Sequence, residues 1–217
     1  MPFAPCLLPF AFCPLPFAPC LLPFAYLSTV CPILQPYFKT TLFRKKMMIR
    51  PALLADFEGI FRLYKTVAAQ GNGIAREEDE ITEGYVQENL TRGLDDGIVL
   101  VVESNGQIVA EIHTYPIGIR IFEHVLSNLT IAIHPDFQGK SIGYQLFKQL
   151  LEKVENDMPH ILRVELHARD GNEAAIRLYK KLGFELEGYL KNRDKLADGS
   201  FYDDISFGWM NKNYKRQ

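Results

Sequence analysis

The sequence predicts a mixed α/β (α+β) domain, in which a hairpin-rich mixed sheet carries helices on its faces. Two observations point to this class. Asn105-Gly106 separates two strand-like runs, and this dipeptide is typical of a tight hairpin because both turn positions need positive φ. From Asn128 to Gly143, an apolar strand leads through a glycine-bearing turn into a helix. Hairpins combined with such a unit argue against a doubly wound parallel fold.

The individual elements follow from the spacing of apolar residues, which recur at every second position in strands and every third or fourth in helices. Gly71 and Gly73 stop the first helix, Pro135 stops a strand, and Asn172 and Gly183 cap the last helix. The predicted elements are a strand at 48–53, helices at 56–69 and 82–94, strands at 98–103, 107–115 and 126–133, a helix at 139–156, a strand at 161–168, a helix at 172–182, and strands at 184–190 and 201–210. Their order is β-α-α-β-β-β-α-β-α-β-β.

Residues 1–46 differ in composition from the rest of the chain. They contain nine of the 13 prolines, all four cysteines and no acidic residue, and the run PFAPCLLPFAFCPL at 2–15 is partly repeated at 16–25. Frequent proline forbids a helix, and the segment lacks the basic start of a secretory signal. We expect 1–46 to lack packed structure, with translation starting at Met47 or Met48, and 47–217 to form the domain. An unusual targeting or attachment tail is the alternative.

The domain at 47–217 holds 20 basic and 26 acidic residues, which gives it a formal charge of −6. This charge argues against nucleic acid as the main partner. The domain has no cysteine, so it needs neither an oxidising compartment nor thiol chemistry. No group of His, Cys and Asp has the spacing of metal ligands. We therefore expect a cytoplasmic enzyme with no metal, no nucleic-acid partner and no membrane span.

The turn between the strand at 126–133 and the next helix has the features of an anion site. The first amides of a helix have no partner within it, and the helix dipole adds partial positive charge. Glycine lets a phosphate approach the backbone closely, although close packing is an alternative reason for glycine here. The residues stand as Gln138-x-x-Ser141-x-Gly143. This spacing matches neither a Walker A loop nor a dinucleotide fingerprint.

That spacing resembles the pyrophosphate-binding turn of the GNAT superfamily of N-acetyltransferases, Gln/Arg-x-x-Gly-x-Gly/Ala, with Ser141 in place of the first glycine. The stretch from Asn172 to Phe184 is similar to the family's N-x-x-A-x-x-L/F-Y-x-x-x-G-F helix. Both motifs stand in the family's order, as do the elements. The resemblance covers about residues 48–211. It implies a GNAT-like fold, with a central, mostly antiparallel mixed sheet and helices on both faces.

The resemblance further implies that acetyl-CoA is the co-substrate. Two central strands, 126–133 and 161–168, are then expected to diverge at a bulge and admit the pantetheine arm, whose amides pair with main-chain groups of Ile131 and Ile133. The backbone of the turn is expected to hold the pyrophosphate. The implied cofactor-binding residues are Ile131, Ala132, Ile133, Gln138, Gly139, Lys140, Ser141, Ile142, Gly143, Asn172 and Tyr179.

Tyr179 and Glu165 are the candidate catalytic residues. Tyr179 matches the family's tyrosine near the CoA sulfur, and a phenol with a pKa of ~10 can donate a proton to a thiolate at neutral pH. A tyrosine of the core is the alternative. Glu165 lies on the polar face of its strand and resembles the base of protein N-terminal alanine acetyltransferases, with an ion pair to Arg163 as the alternative. Further candidate bases are His113, His124 and His134, or water.

The acceptor is suggested by the stretch from Phe184 to Asp204, which is similar to a branch of the family that acetylates free amino acids or related small amines. Acidic residues suit a cationic amine, and Arg193 suits a carboxylate. We expect a small-molecule N-acetyltransferase, whose pocket the 71–94 region and the last hairpin should close. A protein N-terminal or lysine acetyltransferase and a non-catalytic acyl-CoA-binding module are the alternatives. The oligomeric state stays open, with a homodimer as one candidate.

Overall fold

The computed structural model describes residues 47–71, 73–196 and 198–216. The segment 1–46, which the sequence analysis separates from the domain, lies outside the described residues. The strands are β1 (Met47–Pro51), β2 (Ile98–Ser104), β3 (Gln107–Tyr115), β4 (Val125–Ile133), β5 (Arg163–Arg169), β6 (Glu185–Lys195) and β7 (Phe201–Met210). The α-helices are α1 (Phe57–Ala68), α2 (Glu83–Asp96), α3 (Ile142–Asp157) and α4 (Glu173–Lys181). The predicted element order is confirmed.

The seven strands form one sheet in the order β1-β2-β3-β4-β5-β7-β6. Neighbouring strands are antiparallel except for β4 and β5, which are parallel. Asn105 and Gly106, with φ of 54° and 77°, make the expected turn between β2 and β3. The prediction of a mixed and mostly antiparallel sheet is therefore confirmed.

Several element boundaries differ from the predicted ones, and three of the differences have a clear physical reason. β5 begins at Arg163, because Ile161 is buried in the core and does not belong to the polar strand face on which the alternation places it. α3 begins at Ile142, because Ser141 has left-handed backbone angles that a right-handed helix cannot include. β6 continues to Lys195, since its pairing with β7 extends past the predicted end at residue 190.

Helices cover both faces of the sheet, as expected. Leu100 of β2 belongs to the core on the side of α3 and α4, whereas its neighbour Val101 belongs to the core on the side of α1 and α2. Leu146, Phe147 and Leu150 of α3 are fully buried, and burying each such side chain contributes about 1.5–3 kcal/mol. None of the helices in the described part of the chain is long and apolar enough to cross a membrane.

Candidate active site

A gap between β4 and β5 is the starting point of the candidate site. The two strands pair at only two positions, Val125 with Arg163 and Leu126 with Val164. From Ser127 onward β4 stays paired with β3 alone, and β5 stays paired with β7 alone. The strands therefore separate toward the end of β4 that leads into α3.

A bulge in β4 marks the start of the gap. Between two paired positions β4 has two residues, Asn128 and Leu129, where β3 has only Thr114. Asn128 has a φ of 51°, in the left-handed region that asparagine tolerates better than most residues. An extra residue of this kind re-aims the strand. The divergence at a bulge that the family resemblance implies is therefore present.

The main-chain groups of Ile131 and Ile133 face the gap. The His134 amide donates to the Val109 carbonyl at 2.9 Å, in register with the pairing of β3 and β4. In an antiparallel pair, alternate residues point their amide and carbonyl at the partner strand. Ala132 therefore bonds toward β3, whereas Ile131 and Ile133 point their main-chain groups the other way. These two residues have the orientation that pairing with an extended ligand requires.

The turn after β4 presents unpaired helix amides. Gly139 and Ser141 have φ of 72° and 60°, so the chain turns sharply just before α3. The first helical hydrogen bond runs from the Gln145 amide to the Ser141 carbonyl at 3.1 Å. The amides of residues 142–144 precede it and have no partner within the helix. Together with the helix dipole, they form the expected anion-binding arrangement.

The side chains of this turn fold back onto the protein. The Gln138 amide nitrogen donates to the gap-facing carbonyl of Ile133 at 3.3 Å. The Lys140 ammonium donates to the Asp136 carbonyl at 2.5 Å and lies 4.7 Å from the centre of the Phe137 ring. The Ser141 side chain makes no capping hydrogen bond to α3 and is exposed. The turn therefore offers its backbone and the Ser141 hydroxyl to a ligand.

Gly143 fits the packing explanation for glycine as well as the anion site. A Cβ added there would lie 3.3 Å from Cδ1 of Ile133 and 3.5 Å from Cδ2 of Leu178. A larger residue at this position would press on these two side chains, which belong to β4 and α4.

Tyr179 has the packing of a core tyrosine, and its role as the general acid stays a prediction. Its ring packs edge-on against Phe147 and Phe207, with centroids 5.4 and 5.7 Å away. Burial raises the pKa of its phenol to about 12. The hydroxyl makes no hydrogen bond to any described residue, and the side chain lines the cavity beside the gap. The ring is thus part of the core, whereas the hydroxyl is available to a ligand.

This cavity has a volume of about 770 Å³ and joins the features described above. β4 contributes Leu129, Thr130 and Ile131, and α4 contributes Tyr179. The N-cap of α4 contributes Asn172, whose side chain accepts from the Ala175 amide at 3.2 Å. Residues 73–76 and Tyr85 form another part of the wall. The remaining lining is His167, Ala168, Arg169, Asp170, Gly171, Asp194, Leu196, Tyr202 and Asp204. The 71–94 region and the β6–β7 hairpin therefore both border the cavity.

Glu165 directly follows Val164, the last residue of β5 that pairs with β4, and so lies where the gap begins. It is not among the residues that line the cavity. One carboxylate oxygen accepts from the Ser127 hydroxyl at 2.6 Å, and the other accepts from Nε of Arg163 at 3.1 Å. Arg163 also forms a two-pronged ion pair with Glu187, across Gly208. The ion pair considered as the alternative role of Glu165 is therefore present, and its role as the base stays a prediction.

None of the three histidines named as alternative bases lines the cavity. His113 is buried, 3.0 Å from both the Tyr64 hydroxyl and the Glu111 carboxylate. His134 accepts from the Asp136 amide at 3.3 Å, and the carbonyl of His124 holds the entry to β5. These contacts give His113 and His134 structural roles.

The cavity-lining polar contacts that sequence reasoning missed lie on β5 and on the β6–β7 hairpin. His167 shares the polar face of β5 with Glu165, as the strand period indicates, but nothing in the sequence places it beside Asp204 of β7. Arg169 and Asp194 meet across strands that are not neighbours in the chain. Among the described residues, no three His, Cys, Asp or Glu side chains gather as a metal site.

Comparison with known proteins agrees with this geometry. Residues 62–184 match the acetyltransferase (GNAT) family model. The L-amino acid N-acyltransferase MnaT of Escherichia coli is 26% identical over 140 residues, which cover 64% of this chain and 79% of that protein. The L-methionine sulfoximine/L-methionine sulfone acetyltransferase of Pseudomonas aeruginosa is 26% identical over 144 residues, 65% of this chain and 82% of that protein.

A solved structure has the same fold. The GNAT superfamily phosphinothricin acetyltransferase of Sinorhizobium meliloti, determined in complex with acetyl-CoA, superposes with a TM-score of 0.69 at 20% identity. The match covers 79% of this chain and 93% of that one.

Proposed function

The chain belongs to the acetyltransferase (GNAT) family, and from that premise we propose that it transfers an acetyl group from acetyl-CoA to the primary amine of a small molecule such as an amino acid. One observation carries the proposal: a single cavity joins the gap-facing edge of β4, the Tyr179 hydroxyl and charged groups of both signs. The names of the two relatives, which specify amino-acid acceptors, support the same class.

Acetyl-CoA is held mainly by the backbone in this proposal. The amides of the turn from Gly139 to Tyr144 bind the pyrophosphate, whereas the amide of Gln138 already donates to the Pro135 carbonyl. The gap-facing groups of Ile131 and Ile133 pair with the pantetheine amides, after the Gln138 side chain releases the Ile133 carbonyl. An extended arm bound in this way runs along β4 toward the bulge at Asn128 and brings the thioester to the cavity.

Tyr179 supplies the proton for the leaving thiolate. Its phenol, with a pKa raised to about 12 by burial, stays protonated across the physiological pH range. A proton donor that cannot ionise in advance is suited to a general acid that acts only when negative charge develops on sulfur. Packing against Phe147 and Phe207 fixes the ring, so the hydroxyl is oriented before the reaction.

The charges of the cavity suit an acceptor that carries both an ammonium and a carboxylate. Asp170, Asp194 and Asp204 provide negative charge, while Arg76 and Arg169 provide positive charge. The guanidinium of Arg76 lies 4.5 Å from the centre of the Tyr85 ring, which orients it over the cavity wall. A free amino acid is the simplest molecule that matches both signs.

The surroundings of the cavity favour a small acceptor over a peptide. Residues 73–76 border it on one side, and the β6–β7 hairpin borders it on the other. A peptide acceptor needs an open groove across the sheet. We further propose a cytoplasmic location, which the cysteine-free composition of 47–217 supports. A homodimer stays a prediction.

A matched panel of acceptors tests the proposal. Thiol release from acetyl-CoA is followed with free amino acids, with their amides, which lack the carboxylate, and with peptides that carry a free N-terminus or lysine. Reactions without an amine correct for hydrolysis. We expect kcat/KM to be highest for a free amino acid and to fall for its amide. A preference for peptides would favour a protein acetyltransferase, and no turnover with any amine would favour an acyl-CoA-binding module.

A further inference from the structure

His167 is the histidine of the described residues that lines the cavity together with Tyr179. It lies on β5, paired with Ser206 of β7. Its side chain is 42% exposed, whereas the carboxylate of Asp204, 3.3 Å from its Nδ1, is 8% exposed. An imidazole open to the cavity is thus backed by a buried carboxylate.

The geometry fixes how the imidazole carries its proton. Asp204 lies two residues before Ser206, on the same face of β7, and is paired with Arg169. On its other side Nη1 of Arg193 lies 3.2 Å from the same Oδ2. A carboxylate facing Nδ1 favours the tautomer in which Nδ1–H donates to it. The lone pair of Nε2 is then available to accept a proton from a molecule in the cavity.

Several other charged groups surround this pair and enter its titration. Arg169 and Asp170 lie on β5 and its following turn, Arg193 and Asp194 lie on β6, and Nε of Arg169 is 3.5 Å from Oδ2 of Asp194. Burial raises the pKa of Asp204, and Asp194 adds to this effect, while His167 and Arg193 oppose it. The four residues on β5, its following turn and β6 carry two positive and two negative charges in addition to the dyad, and Arg76 of the cavity wall adds one positive charge.

We propose that His167 is the general base of the reaction and that Asp204 is its positioning residue. Nε2 of His167, directly or through one water, accepts a proton from the ammonium group of the acceptor. The resulting amine attacks the thioester carbonyl, so a C–N bond forms and the C–S bond then breaks. The thiolate takes the proton of Tyr179. The nitrogen then loses a second proton, which reaches the phenolate through solvent and restores the Tyr179 phenol. The proton on His167 passes to solvent, which balances the reaction.

This inference rests on the proposed function and replaces Glu165 as the favoured base. Both oxygens of Glu165 already accept hydrogen bonds, from Ser127 and Arg163, and Glu165 does not line the cavity. His167 lies two residues further along the same strand face and does line it. Moving a proton from the acceptor to Glu165 would require breaking one of these contacts.

The test compares kcat/KM against pH for the wild type, His167→Gln and Asp204→Asn. His160→Gln is the matched control, since His160 is exposed and outside the cavity. Glutamine can still donate to Asp204, so the fold should persist. We expect His167→Gln to lose about 10²-fold or more in kcat/KM at neutral pH and to recover as pH rises, because the acceptor ammonium then loses its proton to solvent without a base. Asp204→Asn should lower kcat by a larger factor than it raises KM, and it should shift the acidic limb of the profile.

The outcomes separate this inference from the proposed function. A wild type that acetylates no amine contradicts the proposed function. An active wild type whose pH profile is unchanged in His167→Gln overturns the role of His167 alone. Loss of the same limb in Glu165→Gln, with the His167→Gln profile intact, assigns the base to Glu165 instead. If Asp204→Asn does not fold, the His167→Gln profile alone decides.

Discussion

At the scale of single residues, the ring of Tyr179 packs in the core, whereas its hydroxyl is available for the proposed proton transfer. Its ring touches three aromatic side chains, of Phe147, Phe184 and Phe207, while its hydroxyl has no partner among the described residues. Replacing the tyrosine by phenylalanine therefore removes a group that the fold does not use. The ring contacts, which stabilise the core, remain.

Tyr179→Phe should consequently leave stability and acetyl-CoA affinity almost unchanged and should reduce turnover. The expected change in unfolding free energy is below about 1 kcal/mol, since no hydrogen bond within the protein is lost. Turnover should fall by roughly 10²-fold or more, the usual size of a general-acid contribution. Melting temperature, calorimetric affinity and thiol release, measured on one preparation, check this. A folded variant with full turnover would leave water as the proton source.

Ser141 is a second residue with a testable conformation. Its φ of 60° and ψ of 15° are left-handed, and a residue with a Cβ pays about 1–2 kcal/mol there relative to glycine. Ser141→Gly should therefore raise the melting temperature slightly and keep acetyl-CoA affinity, as measured by calorimetry. Gly143→Val is the contrasting variant and should greatly weaken acetyl-CoA binding, because its branched side chain intrudes at the start of α3 and presses on Ile133 and Leu178. A large loss of affinity in Ser141→Gly would mean that the hydroxyl itself binds phosphate.

Residue roles were predictable where a local motif carries them. Asn172 and Gly183 cap α4 as their types indicate, and the turn before α3 has the expected open amides. The partnership of His167 with Asp204 was out of reach, because it joins β5 to β7 across a stretch of chain that contains a helix and another strand. Alternation along β5 indicates the face of His167, but only the sheet order brings Asp204 to it.

At the scale of elements, one ionic junction ties β1 to the start of α1. The guanidinium of Arg50 donates to both oxygens of Asp56, at 2.7 and 2.8 Å, and also to Glu103 of β2. The Leu53 amide donates to Asp56 as well, at 2.8 Å. These contacts set the angle at which the chain leaves the edge strand, so α1 packs on the sheet. The pKa of Asp56 is lowered, chiefly by the hydrogen bond from Arg50.

Asp56→Asn should lower the unfolding free energy by about 1.5–3 kcal/mol, the range for hydrogen bonds to a charged group. A lowered folded-state pKa means that the ionised carboxylate favours the fold. Its contribution is therefore complete above the ordinary value of 3.8 and is lost as pH falls through the folded-state pKa. Denaturant unfolding of the wild type, Asp56→Asn and the exposed control Asp95→Asn across this acidic range checks both points. Equal acid sensitivity in the wild type and Asp56→Asn would contradict the assignment.

Most element types were predictable, because apolar spacing and turn residues agree along the chain. The boundaries that differ from the predicted ones are set by tertiary contacts. β5 starts late because Ile161 is drawn into the core, and β6 extends because β7 supplies a partner for residues that have no apolar alternation of their own. Polar strands of this kind leave no periodic signal in a sequence.

At the scale of the whole molecule, the site results from the short pairing of β4 with β5, which covers only two positions in the middle of the sheet. β4 and β5 are held together at their first residues and are each tied to another strand beyond that point. Helices on both faces keep the two halves of the sheet in place. The gap therefore follows from the pairing of the strands themselves.

Two walls of the cavity beside this gap, the 71–94 region and the last hairpin, were expected from the family resemblance, whereas its charged lining was not. Its lining comes from the loop before α2, from β4, β5 and α4, and from the β6–β7 hairpin. Each stretch by itself has an ordinary sequence, and the charges of both signs are spread over more than a hundred residues. The family resemblance indicates that a gap exists, whereas the identity of its charged neighbours needs the three-dimensional arrangement.

The central claim is that the gap-facing backbone of β4 and the turn before α3 bind acetyl-CoA. Residue-resolved amide hydrogen exchange, with and without acetyl-CoA, tests it most directly. We expect exchange to slow by about tenfold or more at Ile131, Ile133 and residues 139–144 on binding, and to stay unchanged at Ala132, whose amide bonds to β3. Saturating binding of acetyl-CoA with unaltered exchange at all of these gap and turn amides would contradict the claim.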